Sequence, residues 1–427
     1  MNLDNSMNSI NPLLINTFDN VGGAARAAYR LHHGLLEHGI KSRYFVSQKS
    51  SDDPTVLGPS TNLEKVAAKL RYQIEGLPLF IYRDRQNVIF SPAWVPWNFH
   101  NFINRTDADI IHLHWINGGF LQVETFKKIK KPIIWTLHDS WAFTGGCHMP
   151  LDCKKYETAC GCCPVLKSNK TKDISYRIFL RKQRSWKDLP LTIVTPSRWL
   201  ADKARSSALF NGRRIEVIPN GIDTHRYKPM EKKIARELLS LPQNKKIILF
   251  GAMNAFTDLG KGIHHLQKAI LILSERYHQK EDVEIVVFGA SKPAGEQPFS
   301  LKTYYMDRLY DDISLSLLYA SADVFVAPSI EENLPYTIME SLSCGTPCVA
   351  FKIGGIPDLI EHKGNGYLAA PLDPKDLAQG IYWVLEDEKR HERLSSRARE
   401  KVIEEFDIKL ISRKYMEMYY ECKNTAK

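Results

Sequence analysis

The sequence lacks any uninterrupted apolar run of the roughly 18–20 residues that a membrane-spanning helix needs. Its most apolar segments, such as Leu77–Tyr82 and Ile247–Phe250, have the length of a strand or of a short core segment. Residues Met1–Asn11 are polar and contain no cationic region followed by an apolar stretch, so they do not resemble a secretory signal. We therefore expect a chain that does not cross a membrane and that resides in the cytoplasm.

The sequence also lacks internal repeats of solenoid period and low-complexity linkers. It contains no helix-turn-helix, ribonucleoprotein or zinc-finger pattern, so nucleic acid is not an expected partner. Apolar residues make up 44% and charged residues 25% of the chain, which excludes disordered, collagen-like and disulfide-dense classes. Since a domain has roughly 100–200 residues, the 427 residues predict two or three domains.

Positive charge is concentrated in the first half of the chain. Residues 1–215 contain 30 Lys and Arg residues against 17 Asp and Glu residues, a net +13, whereas residues 216–427 carry −3. The densest stretch, Lys167–Lys187, has eight basic residues and one acidic residue, with large apolar residues between them. It fits either a solvated basic helix face or a surface for an anionic partner. The second interpretation predicts weak contact with an anionic membrane or with a lipid-linked acceptor.

Five of the eight cysteines lie in one short segment. Cys147, Cys153, Cys160 and Cys163 have the spacing C-x5-C-x6-C-x2-C, which fits a structural zinc site in a reducing compartment. Only Cys160 and Cys163 have the close spacing of a zinc knuckle. Reduced, packed cysteines are therefore the alternative interpretation.

Apolar strand-like segments alternate with helical patterns along the chain, which predicts parallel, doubly wound α/β sheets. The strand-like segments are Pro12–Thr17, Asp109–His114, Pro132–Leu137, Leu191–Thr195, Lys246–Phe250, Glu284–Phe288 and Asp323–Ala327. A polar stretch with two prolines follows the apolar segment that begins at Ile215. We therefore expect one domain at residues 1–215 and a second at residues 216–406. The amphipathic segment 407–427 predicts a helix that packs back on the first domain.

The most informative segment is Pro328–Pro347, which follows a buried strand and begins a helix at Tyr336. The first helical turn offers unpaired backbone N–H groups and a positive dipole end, which favour a phosphate group. Glu332 precedes this turn, and Glu340 lies within the helix. Because one carboxylate can accept two hydroxyl hydrogen bonds, the pair fits a ligand with a polyol at one end and a phosphate between. A helix dipole alone explains Glu331 and Glu332 but not Glu340.

Further short motifs occur in order along almost the whole chain. They are Gly22-Gly23, His112-Leu113-His114, Leu137-His138-Asp139, Thr195-Pro196-Ser197, Pro219-Asn220-Gly221, Lys261-Gly262, Tyr319–Asp323 and Gly354-Gly355. Each motif is weak alone, but the ordered set with Glu332-x7-Glu340 is highly specific. In this set the chain resembles the retaining nucleotide-sugar glycosyltransferases of family four. The resemblance implies an α/β GT-B fold, with two Rossmann-like doubly wound domains facing a cleft.

The resemblance also implies roles for the residues around the Glu-x7-Glu motif. Glu340 would bind the ribose of a UDP- or GDP-sugar donor. Glu332 would contact the donor hexose and take part in catalysis. The backbone N–H groups of Asn333 and Leu334 would lie near the hexose and the diphosphate.

Four other residues receive roles from the same resemblance. Lys261 would neutralise the leaving diphosphate, and the backbone of Gly22 and Gly23 would approach it from the other domain. His138 would line the reaction centre as a catalytic residue. Its position after a buried strand agrees with this role, because doubly wound sheets bind ligands at the carboxyl ends of their strands.

The sequence departs from the family pattern at one position. The family usually pairs an Arg with the lysine on the diphosphate, whereas this chain has Gly251-Ala252-Met253. Lys261 then acts alone or with a basic residue from elsewhere. No Asp-x-Asp lies beside the donor motifs, so we expect no metal at the reaction centre and no cofactor for catalysis.

The resemblance implies transfer of a hexose, with retention, to a hydroxyl of a glycan or glycolipid acceptor in cell-surface polysaccharide biosynthesis. The basic first half would hold the acceptor, and the second half would hold the donor. Two alternatives remain open. One is a GT-B nucleotide-sugar epimerase, which needs no acceptor, and the other is a sugar-nucleotide-binding protein without turnover.

Overall fold

A computed structural model describes residues 10–251, 258–276, 282–291, 298–309 and 311–425. The chain divides into two compact units, Met1–Gly221 with Ile408–Lys427, and Ile222–Asp407. The division falls six residues after the boundary that the sequence predicts at Ile215. Its physical reason is the pairing of Ile222, whose backbone N–H donates to the Phe406 carbonyl at 2.9 Å within the second unit.

The first unit is built on a parallel sheet of seven strands in the order β3-β2-β1-β4-β5-β6-β7. The strands are β1 (Pro12–Phe18), β2 (Arg43–Gln48), β3 (Val56–Leu57), β4 (Ile110–Leu113), β5 (Ile133–Thr136), β6 (Leu191–Thr195) and β7 (Ile215–Val217). The helices before the domain division are α1 (Gly23–Glu37), α2 (Asn62–Glu75), α3 (Phe99–Arg105), α4 (Ile174–Trp186) and α5 (Arg198–Ser206). Shorter 3-10 helices cover Leu77–Leu79, Val123–Lys128, Trp141–Phe143 and Lys155–Glu157.

The second unit is built on a parallel sheet of six strands in the order β10-β9-β8-β11-β12-β13. The strands are β8 (Lys246–Gly251), β9 (Val283–Phe288), β10 (Thr303–Met306), β11 (Val324–Ala327), β12 (Cys348–Phe351) and β13 (Gly366–Ala369). The helices are α6 (Lys232–Leu238), α7 (Ile263–Arg276), α8 (Asp312–Ser321), α9 (Tyr336–Ser343), α10 (Ile356–Leu359), α11 (Pro374–Leu385) and α12 (Glu388–Phe406). A 3-10 turn covers Leu259–Lys261.

Each unit is therefore a Rossmann-like α/β domain, and its strand order fixes where a ligand can bind. In both sheets the first strand lies inside, with the second and third strands on one side and the later strands on the other. The order reverses between β1 and β4 in the first unit and between β8 and β11 in the second. Doubly wound sheets bind ligands outside the carboxyl ends of the strands at this reversal.

The last helix, α13 (Ile408–Thr425), belongs to the first unit. It packs against α1, where a Cβ atom on Gly34 would lie 2.3 Å from the Ser412 Oγ, so only glycine allows this approach. Tyr419 extends into the sheet core, and its hydroxyl lies 2.7 Å from the His112 Nδ1. This packing is the arrangement that the amphipathic pattern of segment 407–427 predicts.

The basic stretch Lys167–Lys187 contains α4, whose apolar residues face the core rather than solvent. Phe179 and Trp186 are buried in the main cluster beneath the sheet. Lys182 is buried as well, with its Nζ 3.6 Å from the centre of the Trp141 ring. Within the described residues, no helix combines the length and the apolar character that crossing a membrane would need.

Candidate functional site

Three loops of the second unit meet at the carboxyl ends of β8, β11 and β12. The Ile330 N–H donates to the Gly260 carbonyl at 3.0 Å, which joins the loop after β11 to the turn after β8. The Gly355 N–H donates to the Glu332 carbonyl at 3.0 Å, which joins the same loop to the one after β12. The loops therefore converge at the reversal point of the sheet, where the topology places a ligand.

Two glycines make this convergence possible. Gly262 has φ +70°, and a Cβ atom there would lie 1.8 Å from the Pro328 carbonyl oxygen. Gly354 has φ +52°, and a Cβ atom there would lie 1.9 Å from the Glu332 carbonyl oxygen. A left-handed backbone with no room for a side chain requires glycine at both positions. The short motifs Lys261-Gly262 and Gly354-Gly355 thus hold the loop that carries Glu332.

Lys261 and Glu332 form an ion pair at the centre of the three loops. The Lys261 Nζ lies 2.6 Å from the Glu332 Oε1, and the Ser329 hydroxyl donates to the same oxygen at 3.2 Å. The charge of Glu332 raises the pKa of Lys261 and outweighs the opposite effect of desolvation. Both side chains stay partly exposed, so an ammonium group and a carboxylate are presented together to a ligand.

Glu340 lies on α9, and its side chain is directed into the unit. The residue is 1% exposed, and the Tyr319 hydroxyl donates to its Oε2 at 3.1 Å. Asn333, which is partly exposed, and Leu334, which is buried, lie in the loop before α9. The connection from β11 to α9 therefore carries Glu332, Asn333 and Leu334, and α9 itself carries Glu340, the four residues to which the resemblance gives roles towards the donor.

The family pattern has an arginine where this chain has Gly251-Ala252-Met253, and of these three residues the structure describes Gly251. Gly251 ends β8, and a Cβ atom there would lie 2.2 Å from the Phe288 ring. A side chain at Gly251 is therefore excluded by packing. Ala252 and Met253 lie outside the described residues.

The first unit presents the Gly22-Gly23 turn at its own reversal point. Gly22 has φ 91° and forms the N-cap of α1, which follows β1. No atom lies within 4 Å of a Cβ atom placed on Gly22 or Gly23, apart from their chain neighbours. The turn therefore leaves open space beside the backbone N–H groups at the start of α1.

His138 follows β5 and belongs to a row of three histidines. Its Nε2 lies 3.0 Å from the His114 Nδ1, and the His114 ring packs on the His112 ring with centroids 4.2 Å apart. Burial lowers the pKa of His138 to about 4, against the opposite effect of Asp139, and lowers the pKa of His112 to about 3. These imidazoles are therefore neutral at neutral pH. His138 can exchange hydrogen bonds with hydroxyl groups but does not carry a charge.

The neighbouring residue, Asp139, is held in a network that the sequence did not predict. Its Oδ2 lies 2.7 Å from the His148 Nδ1 and accepts from the Trp115 Nε1 at 3.0 Å. The His148 Nε2 lies 2.8 Å from the Ser91 hydroxyl, and both of these residues are buried. The sequence offers one local clue to this network, which is that His148 follows Asp139 by only nine positions.

The cysteine segment packs beside this network. Cys147 and Cys163 are buried in an apolar cluster with Phe90 and Ile178, and all eight cysteines are free thiols. Burial raises the pKa of Cys160 to about 12. Among the described residues, no three His, Cys, Asp or Glu side chains converge as metal ligands. The thiols of Cys147, Cys153, Cys160 and Cys163 interact electrostatically with one another. Zinc binding by these four cysteines stays a prediction, with reduced, packed thiols as the alternative.

Two family models match the chain, one in each unit. The family model described as "Glycosyltransferase Family 4" matches residues 21–226, and the one described as "Glycosyl transferases group 1" matches residues 231–401. The chain is a glycosyltransferase of the family-four type. The two matches fall on the first and second unit respectively, apart from a few residues at the boundary.

Similar proteins support the family and the fold. The putative colanic acid biosynthesis glycosyl transferase WcaC of Escherichia coli is 24% identical over 398 residues, which are 84% of this chain and 89% of that protein. The sucrose-phosphate synthase of Thermosynechococcus elongatus has a TM-score of 0.68 and 16% identity, and covers 97% of this chain and 100% of its own. Anabaena HepE in complex with UDP-glucose has a TM-score of 0.60 and 17% identity, covering 96% and 100%. The fold of this glycosyltransferase is GT-B.

Proposed function

We propose that this glycosyltransferase transfers a hexose, with retention, from a UDP- or GDP-sugar to a hydroxyl of a glycan or glycolipid acceptor. The observation that carries the proposal is the pair of carboxylates Glu332 and Glu340 with Lys261 at the reversal point of the second sheet. Support for the donor comes from HepE, which was solved with UDP-glucose. Support for an acceptor in polysaccharide biosynthesis comes from the name of WcaC.

In this proposal the second unit binds the donor from end to end. The buried Glu340 accepts hydrogen bonds from the ribose hydroxyls. The backbone N–H groups of Asn333 and Leu334, at the start of α9, and the ammonium group of Lys261 hold the diphosphate. Glu332 accepts a hydrogen bond from the hexose.

The ion pair of Lys261 and Glu332 gives the leaving group its electrostatic support. When the bond to the hexose breaks, negative charge develops on the diphosphate. An ammonium group already held at this point stabilises that charge without reorganisation. We propose that Lys261 supplies this charge and that Glu332 keeps it in place while it contacts the hexose.

The first unit is proposed to bind the acceptor. A neutral His138 can donate a hydrogen bond to a sugar hydroxyl or accept one from it. The carboxylate of Asp139, the next residue, can accept hydrogen bonds beside it. The hydrogen bonds from His148 and Trp115 fix the orientation of that carboxylate. Gly22 and Gly23 leave room for a ligand phosphate to approach the backbone at the start of α1.

One experiment separates this function from its two alternatives. The protein is incubated with a panel of UDP- and GDP-hexoses, with and without glycan or glycolipid acceptors, and nucleotide release and the sugar products are measured. A transferase releases nucleotide faster when its acceptor is present. An epimerase changes the sugar without releasing nucleotide. A binding protein does neither, although it is stabilised thermally by a donor.

A further inference from the structure

Exposed apolar side chains are concentrated in one part of the first unit. Of the 21 large apolar side chains that are exposed in the described residues, 11 lie between Leu57 and Phe102. The most exposed are Leu63 at 83%, Ile81 at 77% and Phe80 at 71%. Contiguous exposed apolar surface on a water-soluble domain indicates an interaction site.

On α2 the exposed apolar residues lie on a face that the fold does not use. Leu63, Val66 and Leu70 are spaced by three and four positions, so they line one side of the helix. The helix is attached through another side, where Ala68 and Glu75 are buried. Glu75 accepts a hydrogen bond from the Ala93 N–H at 2.6 Å, which secures this attachment.

The segment that follows α2 repeats this division between inward and outward side chains. Four inward residues pack on the apolar cluster around Cys147 and Cys163, and these are Leu79, Tyr82, Val88 and Phe90. Phe80, Ile81 and Ile89 are directed outward and are exposed. Only the inward residues of this segment therefore contribute to the core, whereas Phe80, Ile81 and Ile89 do not pack in it.

Exposed lysines surround these apolar residues. Lys65 and Lys69 are exposed on α2 beside the apolar side. The Ile174 N–H donates to the Tyr82 hydroxyl at 3.1 Å, which places the segment after α2 against the start of α4. Exposed Lys170 and Lys172 immediately precede that helix. The apolar side chains are thus bordered by cations from two parts of the chain.

We propose that this surface docks on an anionic lipid bilayer. We call it the α2 surface, and it comprises Leu63, Val66, Leu70, Phe80, Ile81 and Ile89 with Lys65, Lys69, Lys170 and Lys172. Apolar side chains enter the boundary between headgroups and acyl chains, while lysines beside them contact anionic headgroups. A protein partner fits less well, because lysine is depleted from protein–protein interfaces.

The sequence predicts a membrane contact in the stretch Lys167–Lys187, which contains α4, whereas we propose the α2 surface for that contact. Ile178, Phe179 and Trp186 of α4 are buried, and Arg181 is engaged with Glu124, its Nε lying 2.7 Å from the Glu124 Oε1. The lysines that precede α4 remain available, whereas the apolar anchors come from α2 and the segment after it.

The α2 surface is connected to the proposed acceptor region through aromatic contacts. The Tyr72 ring at the end of α2 meets the Phe18 ring with centroids 5.9 Å apart, and Phe18 meets Trp115 at 6.0 Å. Trp115 donates to Asp139. Docking would therefore bring the carboxyl ends of β1, β4 and β5 close to the bilayer, where a lipid-linked acceptor would be found.

The test is co-sedimentation of the whole protein with vesicles of phosphatidylcholine, with and without phosphatidylglycerol, at low and physiological salt. Wild type is expected to bind the vesicles that contain phosphatidylglycerol. The triple variant Leu63→Ser, Phe80→Ser, Ile81→Ser is expected to bind about tenfold or more weakly, because three apolar side chains no longer enter the interface. The double variant Lys65→Glu, Lys69→Glu is expected to lose affinity mainly at low salt.

A matched control removes exposed apolar residues from the other unit. Leu238 and Ile313 are 65% and 72% exposed, and Leu238→Ser with Ile313→Ser is expected to bind as wild type does. Thermal unfolding checks that each variant is folded. The changes in the double lysine variant lie at exposed positions of α2, so it tests the proposal even if the triple variant fails to fold.

Three results would overturn the proposal. The first is that wild type does not bind anionic vesicles at low salt. The second is that the folded triple and double variants bind these vesicles as wild type does. Wild type could also form a dimer that the triple variant abolishes, which would make a second copy the occupant. The assay needs neither donor nor acceptor, so its failure leaves the proposed transfer reaction standing, and nucleotide binding tests that reaction separately.

Discussion

Glu340 is the residue that we propose binds the ribose of the donor, and its carboxylate is buried. We predict that Glu340→Gln lowers the affinity for UDP or GDP about ten- to a hundredfold, since a hydrogen bond to a charged group contributes roughly 1.5–3 kcal/mol. The glutamine keeps the shape and can still accept from Tyr319. Calorimetric titration with each nucleotide measures the effect. Glu237→Gln, at an exposed position of α6, is the control and should bind as wild type does.

Glu332 should behave differently, because it lies at the proposed hexose end and holds Lys261. We predict that Glu332→Gln slows turnover about tenfold or more while nucleotide affinity changes little. Steady-state kinetics with saturating donor, compared with calorimetry on the same protein, separates the two effects. Equal losses in binding and turnover would argue that Glu332 contacts the nucleotide instead.

The diphosphate in this account is held by Lys261 and the backbone at the start of α9, which already supply positive charge. We therefore predict that turnover persists after EDTA treatment. The rate is measured before and after chelation and after adding magnesium, manganese or zinc. Full loss that magnesium or manganese restores would place a metal at the reaction centre. Slow loss that only zinc restores would instead support the cysteine site.

The residues of the donor site could be proposed from sequence because they lie in short motifs with fixed spacing. Glu332 and Glu340 share one loop and one helix, so their spacing has a direct structural meaning. The network around Asp139 could not be predicted in this way. His148 follows it closely, but Ser91 and Trp115 reach it only through the arrangement of strands and loops.

At the scale of the elements, the turn between β8 and α7 decides how the site is built. We predict that Gly262→Ala destabilises the second unit by more than about 2 kcal/mol and weakens donor binding, because the Cβ atom would overlap the Pro328 carbonyl oxygen. Urea unfolding and nucleotide titration measure the two effects.

Gly212→Ala is the matched control for this change. Gly212 has φ +77°, but no atom lies within 4 Å of an added Cβ apart from chain neighbours. It should therefore show only the backbone strain of about 1–2 kcal/mol and normal nucleotide binding. If the two variants were equally stable and bound nucleotide equally, the contact with Pro328 would not matter.

Most core strands were recognisable from sequence because they are buried on both faces and read as short apolar runs. Leu191–Thr195 was predicted with its observed bounds, and β1, β4, β5 and β11 within two residues at each end. The strands β2, β3, β10, β12 and β13 were not predicted. β2 and β10 contain polar and half-buried residues, so they show no continuous apolar run. β3, β12 and β13 have only two to four residues, which is too short for a clear pattern.

The helix α2 was also not predicted, for a related reason. Its most apolar side is exposed and only two of its residues are buried, so its pattern does not mark a core-facing helix. The sequence does show how it begins, because Thr61 and Glu64 form a capping box. The same exposed side is the basis of the proposed membrane contact.

At the scale of the whole molecule, buried neutral histidines predict sensitivity to acid. Burial lowers the pKa of His32 to about 4 and that of His112 to about 3, from 6.5. Below pH 6.5 the unfolded chain takes up these protons while the folded chain does not. The free energy of unfolding should therefore fall as the pH drops from 6.5 towards 4, by up to about 1.4 kcal/mol per pH unit for each histidine.

Urea unfolding at a series of pH values checks this prediction. His32→Gln should show a smaller dependence on pH than wild type, because one of the protons is no longer taken up on unfolding. His225→Gln, at an exposed position of the second unit, is the control and should keep the wild-type dependence. Equal dependence in His32→Gln and wild type would show that His32 is protonated in the folded protein.

The two-unit architecture followed from sequence because strand and helix patterns restart after residue 223. The boundary itself depends on contacts distant in sequence, since Ile222 pairs with Phe406. A pairing between residues so far apart produces no local pattern in the sequence from which the boundary could be predicted. The role of each unit towards donor and acceptor stays a prediction that binding experiments must test.

Hydrogen exchange with and without UDP, GDP and their hexose conjugates locates the donor on the chain, and so it tests whether the second unit binds the donor. We expect protection in the turn around Lys261 and in the segment from Glu332 to Glu340, with smaller protection in Glu340→Gln. Absence of protection with every nucleotide, or protection confined to the stretch Lys167–Lys187, would contradict a donor site in the second unit.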